Sequence, residues 1–428
     1  MLCMNSFRRY VSGAFSFKFK AVALNSTWAN VKQGPLDPIL VFEGINEVFN
    51  LDKSCLKVNL GVGSYRDDNG KPYVLPSVKQ AEKNIFVADL DKEYTMISGI
   101  PSFTKYAAEL AYGGDSVPLK EDRISIVQSI SGTGALRLGG EFLNRFYSSK
   151  KIYLPIPTWG NHPCIFKDSG LEIHSYRYYN KDTIGLDLEG ALEDILSAPQ
   201  GSIILLHTSA HNPTGVDPTQ DQWHLISDAI KSRNHFVFFD MAYQGFASGD
   251  VTKDAYALRY FVKKGHNLCV SQSFSKNMGL YGERVGTFSI VCESLDEKKR
   301  VESQLKILIR PLISNPPIHG ARIAVEILSN EELYKQWLSE LKNMADRIIS
   351  SRKLLRKYLE EDFQSKYDWS HITSQIGMFC YTGLNPLQVK RLADEYHIYL
   401  TSDGRISMAG VCSNNVRYVS ESIHNVTK

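Results

Sequence analysis

The stretch SISGTGALRLGGEF sets Ser129, Ser131, Gly132, Thr133 and Gly134 directly ahead of a helical pattern. Bare backbone N–H groups and small hydroxyls at a helix N-terminus form a site for phosphate, although a plain strand-to-helix turn uses the same residues. A dinucleotide fingerprint needs a third glycine at 137, where Arg137 stands, so that motif fails. In HTSAHNPTG, His207 and His211 are four apart. Pro213 and Gly215 break any helix that would aim both at one ion, so no metal is expected. Asn212 in the same turn can donate to a ligand oxygen or simply cap the turn. HFVFFDMAYQGF places Asp240 after four apolar residues of a buried strand. A carboxylate there needs a cation or strong donors, unless it caps the next helix. Tyr243 projects from the same turn and can donate or accept. SQSFSKNMGLYGERVG gathers Ser273, Ser275, Lys276 and Arg284; alone, Lys276 reads as an ordinary surface lysine.

The set is more telling than its members. An amine, a buried carboxylate, a phosphate cradle with an arginine, and the aromatic face of Trp159 in PIPTWGNHP are the parts that pyridoxal phosphate requires. The lysine bonds the aldehyde, the acid sits beside the pyridine nitrogen, small groups anchor the phosphate and a ring stacks on the cofactor.

Elements that could position this set are visible around it. The β-rich runs KIYLPI, SIILLHT, HFVFFD, LCVSQ and GTFSIV alternate with helical stretches such as LEGALEDILSA and DQWHLISDAIKSRN, the pattern of an α/β domain with a largely parallel sheet. Several runs end in the polar turns named above, where ligands gather in open α/β sheets. From about residue 330 the pattern changes to long amphipathic helices, then short strand-like pieces at GMFCYTGL and IYLTSDGRISMAG, which predicts a smaller α+β lobe.

The chain has 428 residues, 43% of them hydrophobic, enough for a large core, and its 49 basic and 46 acidic residues leave a net charge of only +3. No global field favours nucleic acid or a membrane surface, and no apolar run approaches the ~18 residues of a transmembrane segment. Seven scattered cysteines without a CxxC pair indicate neither a disulfide framework nor a zinc site. The first 36 positions carry Arg8, Arg9, Lys18, Lys20 and Lys32 with no acid before Asp37, the character of a mitochondrial transit peptide.

The segments SGTGA, PTWGNH, HNPTG, FFDMAYQGF, SQSFSKNMGLYGERVG, IRPLISNPP and DGRISMAG occur in the order found in aspartate aminotransferases, and residues 28 to 428 resemble that family throughout. GPLDPIL, VNLGVGSYRDDNGKPYVLPSV and GMFCYTGL are similar to its mitochondrial form. The resemblance implies an α/β fold of the pyridoxal-phosphate transferase fold type I: a large domain with a mostly parallel seven-stranded sheet sandwiched by helices, and a smaller α+β domain. It divides the chain into a leader at 1–27, a segment at 28–72 joining the small domain, a large cofactor domain at 73–343 and a small domain at 344–428.

It also implies roles. Lys276 would hold pyridoxal 5'-phosphate covalently and move the substrate's α-proton, while Asp240, oriented by His162, would keep the pyridine nitrogen protonated. Tyr243 and Asn212 would bond the phenolic oxygen, and Trp159 would stack on the ring. Ser131, Gly132, Thr133, Ser273 and Arg284 would hold the phosphate, with Tyr94 arriving from the neighbouring subunit of a homodimer. Arg405 would clamp the α-carboxylate and Arg310, across the interface, the distal one; Gly63 and Phe379 would line the substrate. The implied reaction is reversible ping-pong transamination between L-aspartate and 2-oxoglutarate in the mitochondrial matrix. The rivals are an aromatic or broader-specificity aminotransferase or a lyase on the same scaffold, and a catalytically silent binding protein.

Overall fold

Runs such as IILLH and FVFFD are apolar at nearly every position, which suits strands covered on both faces, and they lie at the centre of a seven-stranded sheet. The computed structural model describes residues 41–428, with side chains from 45 onward; the expected leader at 1–27 lies outside the described residues. Across the sheet the strands run 124–130, 285–291, 268–273, 236–241, 203–207, 151–156 and 172–177. All neighbours pair in parallel except 285–291, which is antiparallel to both of its partners.

Alternate residues of the central strands feed two different cores. Ile204, Leu206, Val237 and Phe239 pack into the layer on one face, and Ile203, Leu205, Phe236 and Phe238 into the layer on the other. Full burial of each such side chain contributes about 1.5–3 kcal/mol, which fixes the register that the site depends on. The helix Ser131–Phe146 lies so close to the sheet that a Cβ on Gly139 would come within 2.5 Å of the Phe288 ring and 2.6 Å of Phe238. Two strands lie outside the runs singled out by sequence. Ile124–Ile130 is interrupted by Ser125, Gln128 and Ser129, and Glu172–Arg177 is a largely exposed edge strand with polar side chains.

Toward the C-terminus the helix Glu331–Lys357 packs beside two small sheets, in which 379–381 pairs antiparallel with 405–407 and 58–59 pairs in parallel with 398–399. The segment near residue 58 is therefore stitched to the C-terminal part of the chain. The expected boundary at 343/344 falls inside this continuous helix. Among the described residues, no helix is long and apolar enough to cross a membrane.

Candidate active site

Ser131, Trp159, Asn212, Tyr243 and Lys276 each follow the end of a parallel strand, at 130, 156, 207, 241 and 273 respectively. The reversed strand begins at Val285, so Arg284 reaches the same edge from the opposite direction. Gly286 pairs with both Ser129 and Ser273, which brings the turn after the first strand against the turn after 273. The resulting cleft is lined by Ser131, Gly132, Thr133, Trp159, Asn212, Asp240, Tyr243, Ser273, Ser275, Lys276 and Arg284.

One end of the cleft is built of hydroxyls and N–H groups. The Ser131 hydroxyl, buried at the start of its helix, lies 2.8 Å from the Ser275 hydroxyl and 3.1 Å from that of Ser273. The Ser275 N–H donates to Ser273 Oγ at 3.2 Å. Ser131 and Arg284 both have positive φ, +56° and +54°. The strained pair is locked together, because the Ser131 N–H donates to the Arg284 carbonyl at 3.1 Å. Arg284 Nη1 donates to the Tyr281 carbonyl at 3.1 Å. A Cβ on Gly132 would lie 3.2 Å from Ser273 Cβ, so any side chain there would press on the cradle.

The other end carries the titrating groups. Lys276 is half-buried, and burial lowers its pKa to about 8; Asp240 opposes this effect and Arg284 adds to it. Its Nζ sits 5.6 Å from the Tyr243 ring centroid. Burial alone would push the Asp240 carboxyl up, yet its pKa lies below the usual value because His162 donates to it and His162, His207 and Lys276 surround it. His162 Nε2 is 3.2 Å from Asp240 Oδ2, and its Nδ1 is 2.8 Å from the Thr158 hydroxyl. A carboxylate only accepts, so Nε2 carries the proton, and the Thr158 hydroxyl engages Nδ1 on the other side of the ring.

His207 accepts at Nδ1 from the Asn212 N–H at 3.2 Å, and its pKa is lowered to about 3 by burial first and His162 second. His207 and His211 stack at 4.3 Å rather than converging on an ion. His162, His207 and Asp240 do bring ligand atoms within 4.8 Å of one another, but the hydrogen bonds just given already engage them.

Tyr243, Asn212, Arg405 and Trp159 complete the surroundings of the cleft. Tyr243 is buried, and its phenol is raised by burial and then by Asp240, against a hydrogen bond from Asn212. Asn212 Oδ1 accepts from Arg405 Nη1 at 3.3 Å. The Arg405 guanidinium, itself buried, lies 4.5 Å over the Phe379 ring, and burial lowers its pKa to about 10. Trp159 is half-buried and meets His162 edge to face at 5.3 Å.

Three expected residues stand apart. Gly63 is exposed, and a Cβ there would meet nothing within 4 Å. Its segment is nevertheless tied to the turn that carries Arg284, because the Tyr65 N–H donates to the Tyr281 hydroxyl at 2.8 Å. Tyr94 is 80% exposed and lines a different hollow, with Asp91 and Arg322. Arg310 is exposed near the end of the helix Leu295–Ile313, where Nη1 donates to Ser314 Oγ at 3.1 Å and Asn315 Oδ1 at 3.2 Å. Neither lines the cleft of its own chain.

Sequence reasoning passed over Thr158, Tyr281 and Asp217. Asp217 holds the Asn212 turn by accepting from the Ala210 and His211 N–H groups at 2.6 and 2.8 Å. Only Thr158, one turn ahead of His162, left a readable spacing.

The division of chemistry within the cleft fits pyridoxal phosphate. A glycine-floored cradle of hydroxyls at a helix N-terminus suits a phosphate, and at the far end an amine of lowered pKa and a buried acceptor carboxylate suit an aldehyde and a ring nitrogen. The family described as aminotransferase class I and II matches residues 56–423. A mitochondrial aspartate aminotransferase of Dictyostelium discoideum is 58% identical over 401 residues, covering 94% of this chain and 93% of that protein. The structure of a mitochondrial aspartate aminotransferase from Trypanosoma brucei superposes with a TM-score of 0.87 at 48% identity, covering 90% of this chain and all of that one (100%). An aromatic-amino-acid aminotransferase from Burkholderia pseudomallei, covalently bound to pyridoxal phosphate, gives 0.91 at 41% identity, over 94% of this chain and 100% of that one.

Proposed function

This chain belongs to the class I and II aminotransferases, and from that premise we propose that it exchanges amino groups between L-aspartate and 2-oxoglutarate, reversibly and by a ping-pong route, with pyridoxal phosphate as cofactor. One observation carries the reading. A half-buried lysine amine, held near a pKa of about 8, shares a cleft with a hydrogen-bonded carboxylate and a hydroxyl-lined helix N-terminus.

Bound there, pyridoxal phosphate supplies an aldehyde that takes up the substrate's amino group and a ring that accepts the electrons released when the Cα–H bond breaks. Ser131, Gly132, Thr133, Ser273 and Arg284 would hold its phosphate. Lys276 would anchor it and then, once displaced, carry the proton from the substrate α-carbon. The lowered pKa gives the amine a substantial neutral fraction near neutral pH, as a base requires. Asp240, with His162 donating to it and Thr158 orienting the imidazole, would hold the proton on the ring nitrogen. Tyr243 and Asn212 would bond the ring oxygen, and Trp159 would cover one face.

Arg405, resting on Phe379 and oriented by Asn212, would fork onto the α-carboxylate. The exposure of Arg310 and Tyr94 away from their own cleft supports a homodimer in which each subunit lends these residues to the other's site. The pairing of 58–59 with 398–399 supports the assignment of the segment up to residue 72 to a small lobe that carries Arg405. The mitochondrial names of the relatives, with the acid-poor first 36 positions, support the mitochondrial matrix as its location.

The test is the visible spectrum of the holoenzyme during single half-reactions. Aspartate and glutamate should convert it fast, alanine and phenylalanine orders of magnitude more slowly. Equal rates would replace this reading with that of an aromatic or broad-specificity aminotransferase, and no change with any amino acid would leave a silent binding protein.

A further inference from the structure

Trp337 is fully buried on the helix Glu331–Lys357, yet its indole Nε1 donates to the Asn277 carbonyl at 2.8 Å. Asn277 directly follows Lys276, is buried, and donates from Nδ2 to the Gln244 carbonyl at 3.3 Å. Gln244 directly follows Tyr243, and its own Nε2 is anchored on the Leu110 carbonyl at 2.7 Å and the Val251 carbonyl at 3.1 Å. The Lys276 carbonyl accepts from the Gly279 N–H at 3.2 Å, which closes the turn. The residues after the lysine and after the tyrosine are thus tied to each other, and the tie is fastened at both ends to elements outside the cleft. A ring without a polar group would serve the packing around Trp337; the indole adds the N–H link.

We propose that Trp337 is a positioning residue: acting through Asn277, it sets the separation of the Lys276 amine from Tyr243 and Asp240, and with it the geometry of proton exchange. The proposal rests on Lys276 being the lysine that bears the cofactor. Arg284 and Asp240 are the other charged groups acting on that amine, and neither touches Trp337.

The experiment uses the full-length holoenzyme. The cofactor's visible absorbance is titrated with pH in the absence of substrate, and the half-reaction with aspartate is followed in a single turnover. In Trp337→Phe the titration midpoint should move by about half a pH unit or more, and the chemical step should slow about tenfold, with the aspartate KM within about twofold of wild type. Asn277→Ala should give the same signature, and the double variant should be no worse than either single one. Leu355→Ala, a core truncation on the same helix, should lower Tm without moving the midpoint. An unmoved midpoint and chemical rate in Trp337→Phe, or an equal shift in Leu355→Ala, would overturn the proposal alone. A wild-type spectrum that does not titrate, or a Lys276→Ala spectrum that titrates normally, would overturn the lysine assignment and this proposal with it.

Discussion

Asp240 and His162 are joined by a 3.2 Å contact between Oδ2 and Nε2, at an imidazole with no exposed side-chain surface. That donor is the first of the groups that hold the carboxyl's pKa down against burial. Replacing His162 with leucine leaves burial less opposed, so the Asp240 pKa should rise. The acid limb of the kcat/KM profile should move to higher pH. Because a hydrogen bond to a charged group contributes about 1.5–3 kcal/mol, activity at neutral pH should fall about 10- to 150-fold.

Lys276 makes stability depend on pH in a definite direction. Its folded pKa of about 8 lies below the 10.5 of an ordinary lysine, so the unfolded chain binds more protons between those values. Stability therefore rises with pH across that window and carries the full penalty below it. In cofactor-free protein, the Tm of wild type relative to Lys276→Met should climb from pH 8 to pH 10 and stay flat from pH 6 to 7.5. A difference that is constant across the whole range would show that the amine is not desolvated.

Arg310 and Arg405 should separate by substrate. Arg310→Gln removes the cation proposed to take only the distal carboxylate. It should lower kcat/KM for aspartate by about 100-fold, the loss of a charge-assisted contact, while phenylalanine changes little. Arg405→Lys loses the planar fork that every amino acid would use, so both substrates should suffer. Equal losses for the two amino acids in Arg310→Gln would remove the dicarboxylate reading.

Gly132 sets the room available in the cradle proposed for the phosphate. A Cβ would already press on Ser273 at 3.2 Å, and overpacking of this kind costs about 1–3 kcal/mol. Gly132→Val should weaken cofactor binding about 5- to 150-fold, read as the concentration of pyridoxal phosphate that restores half-maximal absorbance. The rate of the fully loaded enzyme should fall less than its affinity for the cofactor.

The site was legible in the sequence because a buried parallel strand leaves a plain mark. Four apolar residues directly before Asp240 mark a carboxylate at a strand end, and shorter or more distant apolar runs, 203–206 and 268–270, precede the turns of Asn212 and Lys276. The strand Glu172–Arg177 left no such mark, since an edge strand needs no apolar run. Thr158 left only its four-residue spacing to His162 as a mark, and the reach of Trp337 was hidden because sixty residues separate it from the carbonyl that it fastens. The destination of Tyr94 and Arg310 is not written in one chain's order at all: both are exposed away from their own cleft, and only the family pattern speaks for them.

The reversed strand Val285–Val291 returns directly beside Leu268–Ser273, so a single hairpin presents Lys276 and Arg284, the two residues proposed to grip opposite ends of the cofactor. Its turn therefore acts as a ruler. Insertion or deletion of one residue between 274 and 284 would alter the span between the two grips, while most other loops can lengthen over solvent without consequence. Among variants of this chain, length changes should accumulate in its exposed surface turns and be absent from this one.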